Sequence, residues 1–112
     1  MSKYADVYLV PILEENVPAY KKMATAVGKL FIKHGALRYR EYVASDLDVQ
    51  DVVPFPKRVK LKEGETLIYA AVEFKSEAQR NKTMKAIMAD TALMAMCDPA
   101  DKQLFDFKRM VY

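Results

Sequence analysis

The sequence predicts an α+β domain of the ferredoxin-like type, with the order βαββαβ on one antiparallel sheet. Three observations carry that reading. Four β-rich stretches flank two stretches of helical spacing, the arrangement of a split pair of βαβ units. There is no internal repeat or low-complexity run. A chain of 112 residues that is 52% hydrophobic and 29% charged supplies one core and leaves no material for a second.

The first strand spans Tyr4 to Leu13, where Val7, Tyr8, Val10 and Ile12 give β-branched and aromatic character. Glu14, Glu15 and Asn16 interrupt it. Asn16 then serves as a helix cap and Pro18 fits the first turn; Val17, Tyr20, Met23, Ala24, Val27, Leu30 and Phe31 follow at spacings of three and four, up to Gly35. Ala36 to Ala44 alternates as a second strand, with Leu37, Tyr39, Glu41 and Val43 on one side and Arg38, Arg40 and Tyr42 on the other.

From Ser45 to Gly64 the pattern dissolves among Asp46, Asp48, Asp51, Pro54 and Pro56, a loop long enough to have a functional or associative role. Thr66 to Phe74 is nearly continuous in apolar residues, the mark of a central strand. Ser76 to Gln79 reads as a reciprocal capping box opening a second helix that runs to about Asp90. Leu93 to Cys97 forms a short further helix stopped by Asp98-Pro99, and Phe105 to Tyr112 closes the chain as a last strand.

With both helices on one face, the other face of the sheet needs polar cover or a partner. Ala5, Val7, Leu9, Ile68, Ala70, Val72 and Phe74 are uniformly apolar and are assigned to the helix-covered side. The open side then collects Tyr4, Asp6, Tyr8, Val10, Tyr69, Ala71 and Glu73, with Arg38, Arg40, Tyr42, Phe105, Phe107, Arg109 and Val111 from the flanking strands. That face is too aromatic for water and too charged for an ordinary core, so two copies are expected to pack sheet to sheet as a homodimer around a charged cleft. Within it, Asp6, Tyr8, Arg40, Tyr69, Glu73 and Arg109 are the candidate small-molecule ligands, set against the plainer reading of an ion-pair network that fixes dimer register.

Charge and composition narrow the function classes. Lysine and arginine number 18 against 15 acids, a net charge of +3 that is modest for a nucleic-acid binder. Lys57, Arg58, Lys60 and Lys62 form a basic patch that reads as a solvated loop edge, with nucleic-acid contact as its alternative. No stretch is long and apolar enough for a membrane span or a signal core, and the single cysteine has no internal partner, which fits a cytoplasmic protein. No phosphate loop, nucleophile elbow or paired-cysteine metal motif occurs, and no cofactor or metal site is expected. His34 reads as a helix C-cap, Cys97 as a packed thiol, and Met84, Met88, Met94 and Met96 as core or interface packing.

The segment Lys33-His34-Gly35-Ala36-Leu37-Arg38, then Glu41, the run Lys62-Glu63-Gly64-Glu65-Thr66, Ile87-Met88-Ala89-Asp90 and the ending Lys108-Arg109-Met110-Val111-Tyr112 resemble the YbaA-like family of small bacterial proteins, domain of unknown function 1428. The resemblance covers nearly the whole chain and implies a dimeric α/β barrel of ferredoxin-like subunits. Phe107 stands where that family tends to have glycine, so the ring is expected to narrow or fill any cleft. The resemblance implies no activity. The leading expectation is a homodimer with a small-molecule pocket. A monooxygenase-like enzyme of the same barrel type, cofactor-independent or haem-dependent, is the alternative and requires a cavity between helices and sheet or under the dimer face.

Overall fold

A computed structural model describes residues 3–96 and 104–112. Among them, strands β1 (Tyr4–Leu13), β2 (Arg38–Val43) and β3 (Glu65–Phe74) form one antiparallel sheet in the order β1-β3-β2. Helices α1 (Val17–Lys33), α2 (Glu77–Met88) and the short α3 (Thr91–Met96) complete an α+β architecture. β3 is central, as its apolar run predicts, and pairs with β1 along its whole length and with β2 over Ile68–Glu73.

The ends of the helices follow local chemistry. Gly35, at φ +117°, ends α1: its own amide donates to the Ile32 carbonyl and the Ala36 amide to that of Phe31, a left-handed turn that a side chain would strain. Asn16 opens α1, but its side chain donates to the Leu104 carbonyl instead of capping the helix. Ser76 caps α2 by accepting from the Gln79 amide, 3.1 Å. The reciprocal half of the expected capping box is missing, because Gln79 turns its amide to Thr83 Oγ1, 3.1 Å.

Register corrects the expected faces. Asp6 lies opposite Val72, Tyr8 opposite Ala70 and Val10 opposite Ile68, and directly opposed residues share a face. Asp6, Val10, Ile12, Ile68, Ala70, Val72 and Phe74 are all buried. They lie beneath the helices: Tyr20 and Ala24 of α1 pack on Val10, Ile12 and Ile68, and Phe31 meets the Phe74 ring edge-on. Tyr4, Asp6, Tyr8 and Val10 therefore belong to the helix-covered side, and Ala5, Val7 and Leu9 to the open side. A shift of one residue reverses every side chain of a strand. The hydrophobic pattern favours Ala5-Val7-Leu9 for the interior; Asp6 overrides it because Arg80 and Tyr112 complete its bonding there.

The last strand is also corrected. Phe107–Arg109 makes a 3₁₀ turn capped by Asp106, and only Val111 bridges to Leu9, through bonds of 2.8 and 2.9 Å. Phe105, packed onto the core under the helices together with Met110, does not lie on the open face. Met88 is 72% exposed, so it is not core, while Cys97 and the side chains of Met94 and Met96 lie outside the described residues. No described helix is long and apolar enough to cross a membrane.

Candidate functional site

The six residues singled out in the sequence fall in three places. Asp6, within β1 and 2% exposed, accepts from Arg80 Nε at 2.9 Å and from the Tyr112 hydroxyl at 2.6 Å. Arg80 also donates to the Tyr112 hydroxyl, 3.1 Å, which closes a triangle. The Asp6 bond pushes the Tyr112 phenol up to about 12. Tyr8 lies beside this triangle, its ring 5.1 Å from that of Tyr112, and burial raises its pKa, with Asp6 adding to the effect.

Arg40, Tyr69 and Glu73 lie on the open face, on β2 and β3. Tyr69 leans on Tyr42 at 6.1 Å, and Glu73 pairs with Arg38 at 3.5 Å. Arg109 belongs to neither group. It grips Glu65, at the start of β3, through two bonds of 2.6 and 2.7 Å and donates to the Lys60 carbonyl. That two-pronged contact holds the Glu65 carboxyl down at about 2. The expected constellation is thus an ion triangle, an open-face patch and a bidentate clamp.

The groups that converge on a cavity are others. On the inner face of β2, Glu41 and Tyr39 point toward α1, and Tyr20 reaches down from the first turn of that helix. Both hydroxyls donate to the one carboxylate, Tyr20 to Oε1 and Tyr39 to Oε2. Burial, followed by the bond to Glu41, raises both phenols far above their ordinary range, so they are fixed donors at neutral pH. They face a cleft of about 660 Å³ between α1 and β2, whose apolar wall includes Ala24, Gly28, Ile32, Val43 and Ile68. A methyl group at Gly28 would stand 2.8 Å from the Tyr39 ring, so glycine is what lets the ring lie against the helix. Lys21 and Lys29 complete the mouth from the exposed side of α1.

The sequence did carry a signal for this site. Glu41 is a lone acid on the β2 side shared with Leu37, Tyr39 and Val43, and Tyr20 lies on the apolar stripe of α1. Phe107 is 61% exposed, rests on Phe105 at 4.8 Å and does not line the α1–β2 cleft. His34 ends α1, but its ring goes to Asp90 Oδ2, 2.7 Å, instead of the helix carbonyls, and that bond lowers the Asp90 carboxyl. Among the described residues no group of three or more histidine, cysteine, aspartate or glutamate side chains is placed to hold a metal.

Comparison with known proteins bears out the family resemblance. The model of the family described as "Protein of unknown function (DUF1428)" matches residues 3–111. The chain belongs to the DUF1428 family. It is also similar to the uncharacterized protein YbaA of Escherichia coli K12, at 32% identity over 110 residues, covering 98% of this chain and 92% of that protein. The YbaA protein of Shigella flexneri matches to the same extent. Since the DUF1428 description specifies no activity, function has to be argued from the cleft.

Proposed function

We propose that this DUF1428 protein binds a small organic molecule in the α1–β2 cleft and does so as a homodimer of ferredoxin-like subunits, two open sheet faces meeting as in a dimeric α/β barrel. The observation that carries the binding role is the cleft itself: about 660 Å³, mostly apolar, with a few convergent polar groups at one end. That volume falls within the usual range for small-molecule sites.

The dimer rests on the exposed side of the sheet. Val7, Tyr69, Tyr42 and Val111 are 40%, 40%, 52% and 43% exposed and lie together on one face. The molecule is 20 Å through its thin axis, the depth of one sheet and one helix layer, so a second sheet would supply the missing cover. Arg38, Arg40 and Glu73 at one end of that face provide charges that can pair across a two-fold axis.

A titration with 8-anilinonaphthalene-1-sulfonate tests the cleft. The wild-type protein should give saturable fluorescence, and Ile32→Trp, which fills the cleft from a half-exposed position, should remove that component while leaving the melting temperature within a few degrees. Equal binding by both proteins would move the site elsewhere. Light scattering tests the dimer, and a monomer at micromolar concentration would defeat it. The monooxygenase-like alternative requires a cavity between helices and sheet, a requirement this cleft meets, and oxygen uptake with an aromatic substrate would separate turnover from binding.

A further inference from the structure

Five described carboxylates are not fully solvent-exposed: Asp6, Glu41, Glu65, Glu73 and Asp90. Four have a cationic partner. Asp6 has Arg80, Glu65 has Arg109, Glu73 has Arg38, and Asp90 has Lys33. Glu41 takes part in none of the ion pairs among the described residues, although it lies half-buried on the wall of the α1–β2 cleft.

Its two tyrosine bonds do not complete it. A carboxylate offers about four lone-pair positions, and the phenols occupy one on each oxygen. Both phenols keep their protons, so they hold the carboxylate in place without neutralising it. Lys21 and Lys29, the cations that line the cleft among the described residues, are exposed, so water and salt weaken their field. The cleft therefore combines an oriented acceptor, without an ion-pair partner among the described residues, at one end with an apolar wall of Ala24, Ile32, Val43 and Ile68 and a basic mouth.

Building on the cleft as the binding site, we propose that its ligand is an organic amine: a protonated amino group on Glu41 between the two tyrosine hydroxyls, and an apolar or aromatic body along α1. A charge-assisted bond in a partly desolvated site is worth roughly twice a neutral one. The rim lysines oppose a second positive charge and suit a neutral or acidic outer end.

The test compares three probes of one shape at neutral pH by ligand-observed NMR: 2-phenylethylamine, 2-phenylethanol and 3-phenylpropionate. The amine should bind about tenfold more tightly than the alcohol, and the acid more weakly than either. In Glu41→Gln the advantage of the amine should vanish while the alcohol is little changed; Ile32→Trp should abolish all three. Equal affinities in the wild-type protein, or tighter binding of the acid, overturn the amine and leave the cleft standing. Failure of all three probes together with anilinonaphthalenesulfonate overturns the cleft as well. If the alcohol or anilinonaphthalenesulfonate binds and the amine does not, the amine alone is refuted. The wild-type series decides the question even if Glu41→Gln does not fold.

Discussion

Asp6 and Glu41 lie on the same face of the same sheet, on the strands either side of β3, and both accept a tyrosine hydroxyl. Asp6 has an arginine as well and is sealed from water; Glu41 has a second tyrosine in that place and borders a cleft. A complete network of that kind holds parts of a fold together. An incomplete one has capacity left for something outside the chain. The contrast explains why β1 is buried in a register that places an acid inward, and why β2, equally amphipathic, leaves a cavity beside its acid.

The largest effect should come from breaking the complete network. Arg80→Met leaves Asp6 buried without its cation and should cost about 3–5 kcal/mol, measured by urea unfolding. The equivalent change at the incomplete network, Glu41→Gln, should cost no more than about 1–2 kcal/mol, because the amide oxygen still accepts one phenol. Equal losses at the two sites would erase the distinction.

The Glu65–Arg109 clamp provides the next test. Its depressed carboxyl contributes stability that is fully present above the ordinary glutamate range and is lost as pH falls from about 4.5 toward 2. Glu65→Gln should flatten that part of the stability–pH curve and lower stability at pH 7 by about 1.5 kcal/mol. An unchanged acid limb would show that the clamp does not hold the end of the sheet. On the open face, Val7→Glu should convert a dimer to a monomer by light scattering while changing the unfolding free energy of the monomer by less than about 0.5 kcal/mol, since Val7 is 40% exposed. The smallest effect belongs to the basic loop: Lys57→Ala with Arg58→Ala, both exposed, should leave stability within about 0.5 kcal/mol.

Much of the fold was legible in the sequence. The β1 range, the α1 stripe, the turn at Gly35 and the central position of β3 all follow from period, propensity and caps, which are local properties. What was not legible depends on partners distant in sequence. The face of β1 turns on Arg80 and Tyr112, each more than seventy residues away, and no pattern within Tyr4–Leu13 encodes them. The last strand gave way to a 3₁₀ turn because Asp106 caps the Lys108 amide and Arg109 is drawn to Glu65. The partners of the charged candidates are distant in sequence as well: Asp6 pairs with Arg80, Glu73 with Arg38 and Arg109 with Glu65, while Glu41, which takes part in none of the ion pairs among the described residues, reads in the sequence as one acid in an alternating strand.

The most direct measurement is a crystal structure of the protein soaked in 2-phenylethylamine. Density is expected between α1 and β2, with the amino nitrogen within hydrogen-bond distance of Glu41 and the ring against Ile32 and Ile68. Density on the open sheet face, or an empty cleft with Glu41 bound by one of the chain's own lysines, would contradict that expectation.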